Sequence, residues 1–173
     1  MRHNQQGFTL IEMIISLCLL AILLTYGLPN YYDFKQNQIM SQEVNRLVRT
    51  INFARSQSIN SSEHIILCAT HSGQGCDGDN LWQKGWMVFS DLNKDRQFSS
   101  NDEILLLETK TAHHITAKSS MYRQKIRFDQ MGAAPGTNLT VRFCDDRGPE
   151  FGKSVIVSNV GRPRVAQSVD NCG

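Results

Sequence analysis

Apolar and polar positions follow three different patterns along this chain. Residues 8–28 (FTLIEMIISLCLLAILLTYGL) are almost wholly apolar, and their single ionisable side chain, Glu12, lies close to the start of the run. As a helix rising about 1.5 Å per residue this run is roughly 31 Å long, enough to cross a bilayer core. A carboxylate in such a span is costly without a partner, which marks Glu12 as a functional residue. The second pattern has a helical period: Met40, Val44, Leu47, Val48, Ile51 and Ala54 form one stripe, with Arg46 and Arg49 on the opposite face. Pro29 stands between the two patterns and is expected to kink or interrupt the helix, because it lacks a backbone donor. Arg46, Arg49 and Arg55 read as a solvated face, and the polar run Asn60-Ser61-Ser62-Glu63 as the helix end.

From His64 onward the period shortens to β-like runs separated by turn residues. The pattern predicts strands near residues 65–70, 85–91, 104–108, 114–117, 125–129, 138–144, 153–158 and 162–167. No second helix-length pattern follows, so the expected fold is α+β: a long N-terminal helix packed on an antiparallel sheet domain. No internal repeat or low-complexity linker is visible.

Charge adds an orientation and an asymmetry. The short flank RHNQQG carries Arg2, which places the N-terminus on the cytoplasmic side and everything from Pro29 onward across the membrane. The net charge of +2 argues for no partner. Its distribution does: residues 29–110 hold 8 Lys/Arg against 10 Asp/Glu, whereas residues 111–173 hold 9 against 5. A net basic C-terminal third suits a polyanionic partner.

Of the five cysteines, Cys18 lies in the apolar run and reads as a free filler. Cys68, Cys76, Cys144 and Cys172 lie in the exported part, where an even count reads as two disulfides with three connectivities open. Cys68–Cys76 and Cys144–Cys172 are favoured because each closes a loop within one region. On a chain-entropy basis they contribute about 2.5 and about 3.5 kcal/mol. No C-x-x-C pair supports a metal site instead, and His64, His71, His113 and His114 lack metal-ligand spacing. On a strand, His113 and His114 would face opposite sides. Neither G-x-S-x-G nor a phosphate-binding or dinucleotide glycine motif appears, so no catalytic residue, metal or cofactor is assigned. Asp91-Leu92-Asn93-Lys94-Asp95-Arg96, with Asp102-Glu103 beyond, has oxygen ligands at alternate positions like a calcium loop. Arg96 takes the place of the glycine such a loop needs, and the stretch reads as a polar hairpin connection.

After the apolar run, Thr25-Tyr26-Gly27-Leu28-Pro29 stands where a secretory signal would have small residues for cleavage. The processing point lies before the run. Gly7-Phe8-Thr9-Leu10-Ile11-Glu12, after a short basic leader, resembles the class III signal of type IV pilins and pseudopilins. That resemblance implies cutting after Gly7 by a prepilin peptidase, methylation of the new N-terminus at Phe8, and a role for Glu12 in assembly with other pilin subunits. It divides the chain into a leader (1–7), a transmembrane and filament-core helix (8–28), an amphipathic second half of the helix (29–62) and a β-rich globular domain (63–173). It also implies a single-pass protein of the bacterial inner membrane with a periplasmic domain, later assembled into a pilus at the cell surface.

Two further stretches, residues 85–93 (GWMVFSDLN) and the C-terminal part from Phe143 to Val165, resemble the GspH/FimT family of minor pilins and pseudopilins. FimT-type members carry a Gly-Arg-x-Arg motif that contacts DNA, and Gly161-Arg162-Pro163-Arg164 matches it. The resemblance thus implies a minor pilin that binds double-stranded DNA in uptake for natural transformation. The alternatives it leaves open are a structural or priming pilin and a type II secretion pseudopilin. The residue chemistry is compatible with DNA contact. Gly161 can take the positive φ of a tight turn, and Pro163 points to an edge strand. Arg162 and Arg164, two residues apart in an extended segment, stand about 6.5 Å apart on one side, and guanidinium forks suit phosphate oxygens. Arg142, Arg147 and Lys153 are expected to widen this basic surface, unless Asp145, Asp146 or Glu150 pairs with them.

Overall fold

A computed structural model describes residues 7–112 and 114–172. The leader residues 1–6, with Arg2, and His113 and Gly173 lie outside the described residues. The chain divides into two units, Met1–Gln38 and Ile39–Gly173.

The first unit holds the start of helix α1 (Leu10–Ser61). The Thr9 hydroxyl accepts the Glu12 backbone N–H at 3.3 Å, which caps the first turn. The helix runs through Pro29 without interruption, contrary to the expected break. Helices within apolar spans tolerate proline when neighbouring polar side chains re-satisfy the backbone. The Asn30 amide donates to the Tyr26 carbonyl oxygen at 2.8 Å, whereas the carbonyl that Pro29 leaves without its N–H partner is that of Thr25. Ser16 likewise donates to the Glu12 carbonyl oxygen at 2.7 Å. An apolar window of this helix long enough to cross a membrane is wholly unburied within the chain. Its apolar side chains are exposed on every side, the state of a helix meant for lipid or for other helices.

In the second unit, the remainder of α1 buries Met40, Val44, Leu47, Ile51 and Ala54, while Val48 is half-buried. Eight strands follow: β1 (Ile65–Ala69), β2 (Trp86–Ser90), β3 (Glu103–Glu108), β4 (Thr116–Lys118), β5 (Lys125–Phe128), β6 (Leu139–Cys144), β7 (Lys153–Val157) and β8 (Pro163–Gln167). They form two antiparallel sheets, ordered β3-β2-β1-β5 and β4-β6-β7-β8. The α1 stripe, Ile65, Leu67, Trp86, Val88 and Phe128 of the first sheet, and Val141, Phe143, Val155 and Val157 of the second, form one core.

All eight predicted strands exist, and the main departure is β4. It starts at Thr116, because His114 adopts φ +71° and cannot continue a strand. Arg46 also departs from expectation. Its guanidinium lies 4.6 Å from the Trp86 ring centroid, 3.0 Å from Glu43 Oε2, and donates to the Thr109 carbonyl oxygen at 3.1 Å. Glu43 Oε1 in turn accepts the Ala112 N–H. Arg46 is thus a packing residue that ties α1 to the β3–β4 connection, and not part of a solvated face. Arg55 also reaches inward, donating through Nε to the Gly132 carbonyl oxygen at 2.9 Å. Arg49 alone of the three is exposed.

The two disulfides are Cys68–Cys76 and Cys144–Cys172, the second tying the tail beyond β8 to β6. The outer face of the first sheet carries Ile66, Cys68, Met87 and Phe89, covered by Cys76 and Phe98. Phe98 meets Phe89 edge-on at 5.4 Å. In the loop once compared with a calcium site, the carboxylates turn onto the loop's own amides. Asp91 accepts from the backbone N–H groups of Asp95 and Arg96, and Asp102 from those of Leu92 and Ser99.

The β7–β8 connection is a three-residue loop. Gly161 N–H donates to the Ser158 carbonyl oxygen at 2.8 Å, and Ser158 N–H to the Arg162 carbonyl oxygen at 3.5 Å. Gly161 closes it with φ +75°, the left-handed position that such hairpins assign to glycine. A Cβ at Gly161 would lie 2.2 Å from the Gly132 carbonyl oxygen, so two loops meet here with no room for a side chain.

Three outcomes follow for the fragment beginning at Pro29. Thr50 accepts the buried Trp86 indole N–H at 3.1 Å. Thr50→Val leaves that donor unpaired and lowers unfolding free energy by about 1–3 kcal/mol in urea titration. Arg49→Gln, at an exposed position, changes it by less than about 0.5 kcal/mol. Gly161→Ala forces both backbone strain and a clash, costing at least about 1–3 kcal/mol. It also accelerates amide exchange at Ser158, which an intact hairpin protects.

Candidate nucleic-acid interface

In the second sheet, Leu139, Val141 and Phe143 of β6 and Val155 and Val157 of β7 point into the core. The alternate positions therefore form an outer face. Register decides who shares it. Lys118 stands opposite Arg142, Arg142 opposite Ser154, and Ile156, next on the same side of β7, opposite Arg164. Directly opposed residues of an antiparallel pair lie on the same side. Lys118, Arg142 and Arg164 thus come from three strands onto one surface. The strand positions of this face carry no Asp or Glu.

β8 is an edge strand, paired on one side only with β7. Pro163 can begin it because the missing N–H removes little from an edge. Arg162 and Arg164 are both exposed. Neither guanidinium makes a hydrogen bond or ion pair among the described residues, and nor does that of Arg142, which is half-buried. Cations without internal partners on an acid-free face have their guanidinium donors available to an external anion.

Two residues expected on this surface are engaged elsewhere. Arg147 donates to Asp145 through Nε at 3.1 Å and Nη2 at 2.7 Å, with side chains only 12% and 3% exposed. It also stacks 4.6 Å from the Phe151 ring centroid. The Asp145 carboxylate neutralises it, so it widens no basic surface. Lys153 stands opposite Phe143, on the core side of the sheet, and donates through Nζ to the Ser41 hydroxyl of α1 at 2.9 Å.

Sequence reasoning missed Lys118 and Arg123. Lys118 falls one residue beyond the predicted fourth strand, and its place beside Arg142 depends on β4 pairing with β6, a non-local pairing that no local pattern signals. Arg123 is exposed in the β4–β5 connection and donates to the Gly136 carbonyl oxygen.

At the other end of the chain, Gly7 and Phe8 precede α1 and are exposed, Phe8 to 80%. The Glu12 carboxylate has no hydrogen bond or ion pair among the described residues. Three residues separate Phe8 from Glu12, so Phe8 lies just before α1 and Glu12 in its first turn.

Comparison with known proteins places these features in a family. The family described as type II transport protein GspH matches residues 43–161, and the prokaryotic N-terminal methylation motif matches residues 2–27. No curated protein matches the chain. Among solved structures, the type IV minor pilin FimU of Pseudomonas aeruginosa is similar at a TM-score of 0.64 with 20% identity, covering 81% of this chain and 99% of FimU. A second crystal form of FimU gives 0.57 and 19%, covering 77% and 99%. At that identity the likeness shows the fold: one long helix on antiparallel sheets. The family match spans more than half of the residues, and the methylation motif supplies the membrane-anchored, peptidase-processed N-terminus of a pilin. This chain belongs to the GspH family, as a minor pilin or pseudopilin of the type IV kind.

Proposed function

We propose that this minor pilin binds double-stranded DNA without sequence preference during uptake for natural transformation, through Arg162 and Arg164. The observation that carries the reading is the β8 edge. Two exposed guanidiniums without internal partners follow the Gly161 turn, beside an outer sheet face whose strand positions carry no carboxylate. Forked donors engage phosphate oxygens in pairs, and phosphate contacts position a duplex without reading its sequence. Arg142 adds a third cation on the same face, while Arg147 and Lys153 contribute nothing. Gly161 is the turn residue that presents the two arginines.

The remaining site residues belong to export and assembly. A prepilin peptidase cuts between Gly7 and Phe8, releasing an α-amine at Phe8. The unpaired Glu12 carboxylate then receives such an amine from a neighbouring subunit, since an ion pair relieves the cost of either charge alone among apolar helices. Before assembly the apolar part of α1 holds the chain in the bacterial inner membrane in a single pass, with the globular domain in the periplasm. Other pilin subunits, met through this helix, are its permanent partners in the pilus.

A second reading has specific support in the matched family, whose description is a type II transport protein. There the chain would serve as a pseudopilin of secretion, without DNA contact. Deletion in cells separates the two: lost transformation with intact secretion supports the first, and the reverse supports the second.

The direct test uses the full chain in non-ionic detergent and a short fluorescent duplex over a salt series. Arg162→Gln with Arg164→Gln weakens binding about tenfold or more and reduces the steepness of log K against log salt by about two. Lys153→Gln leaves both affinity and slope unchanged. A double variant that binds like the parent would overturn the assignment of Arg162 and Arg164.

A further inference from the structure

A concavity of about 240 Å³ lies where the outer face of the second sheet meets the connection after β4. Its walls include Ser120, Arg123, Thr140, Arg142 and Ile156, and none of its lining residues is acidic. The Arg123 guanidinium is held at one corner by its bond through Nη1 to the Gly136 carbonyl oxygen, which leaves its other N–H groups to point elsewhere. The Arg142 guanidinium makes no hydrogen bond or ion pair among the described residues. Two guanidiniums lining one hollow repel each other and hold several unused donors. An anion with several oxygens relieves both conditions, and phosphate matches the fork geometry of arginine.

Position links this hollow to the β8 edge. Ile156 forms part of its wall and stands directly opposite Arg164 across the β7–β8 ladder. Arg142 lies two strands from Arg164, with an offset of two residues in register. That separation is on the order of 12 Å between Cα positions.

We propose that this hollow is a second phosphate subsite, so that the nucleic-acid backbone leaving Arg162 and Arg164 crosses the outer face of the second sheet to Arg142 and Arg123. Lys118, opposite Arg142 on β4, flanks the same path. The proposal rests on the DNA-binding reading above and extends its footprint from the edge strand to the whole face. Polar Ser120 and Thr140 line the hollow beside the arginines, so hydroxyls are at hand for the remaining phosphate oxygens.

The test compares four forms of the full chain in non-ionic detergent: parent, Arg123→Gln/Arg142→Gln, Arg142→Lys and Arg162→Gln/Arg164→Gln. Each is titrated with the same fluorescent duplex over a salt series, after thermal melting shows that it remains folded. The Arg123→Gln/Arg142→Gln form is expected to lose about tenfold in affinity and about two units of salt slope, as for two lost phosphate contacts. Arg142→Lys keeps the slope, because the charge remains, and loses part of the affinity with the fork. If Arg123→Gln/Arg142→Gln binds like the parent while Arg162→Gln/Arg164→Gln does not, the subsite is overturned and the edge reading stands. If the parent binds no duplex, the edge reading fails, and inorganic phosphate decides the hollow by itself. Amide shifts at Thr140 and Ile156 on phosphate addition, absent from Arg123→Gln/Arg142→Gln, then retain a phosphate site. Their absence from the parent overturns it.

Discussion

Burial of one stripe of α1 is the constraint on which the rest of the globular unit depends. Met40, Val44, Leu47 and Ile51 are fully or almost fully removed from water, and the core they enter takes side chains from both sheets. At about 1.5–3 kcal/mol per buried aliphatic side chain, these four contribute about 6–12 kcal/mol before entropy is counted. That is comparable with the whole net stability of an ordinary domain. The sheets therefore cannot hold their arrangement without the helix. Polar contacts fix the register of the packing: Thr50 accepts the Trp86 indole N–H, and Arg46 bridges Glu43, Trp86 and the Thr109 carbonyl. The element that organises the fold is thus the same one that carries the apolar run and Glu12. Apolar run and scaffold share a single helix, although they lie in different parts of it.

The two sheets differ in what they leave exposed, and the difference locates the candidate surface. On the first sheet, β1 and β2 are buried along their whole length, because the helix covers one face while Cys76 and Phe98 cover the other. The second sheet follows the alternation of a sheet covered on one side. Its outer face is closed at Cys144 and Ser154, which are buried, and partly or fully exposed at Lys118, Arg142, Ile156 and Arg164; its strand positions hold cations but no carboxylates. An excess of 9 basic over 5 acidic residues in the last third of the chain has a structural outlet here. Two of the five acids of that region pair locally, Asp145 with Arg147 and Asp146 within 3.1 Å of His114.

Periodicity made most of the fold legible. The stripe on α1, the eight strands and the antiparallel α+β class follow from local pattern, because each reflects a single element meeting a single core. Two local readings failed, for nameable reasons. Pro29 did not interrupt α1, since proline removes only one backbone bond from a helix of 52 residues. Arg46 did not stay in solvent, because helical position alone does not reveal a tryptophan on a strand about forty residues later. The split of eight strands into two sheets was not legible either. It depends on β5 returning to β1 and on β4 pairing with β6, contacts between segments far apart in sequence.

The same limit governs the candidate site. A motif names residues, whereas a surface is made by register, and the two agree only in part. Gly161, Arg162 and Arg164 needed nothing beyond a turn and an extended segment, both local properties, and the geometry found for them is the one the sequence implies. Arg142, Arg147 and Lys153 were equivalent in composition, yet only Arg142 shares the outer face. Arg147 is consumed by an aspartate two residues away. Lys153 falls on the core-side parity of β7, and its amine bonds to Ser41. Conversely, Lys118 enters the surface through a strand pairing alone. Electrostatic arguments from residue counts are therefore weakest where acids and bases are interleaved within a few residues. They gain force once strand parity has sorted the charges into those facing one another and those facing water.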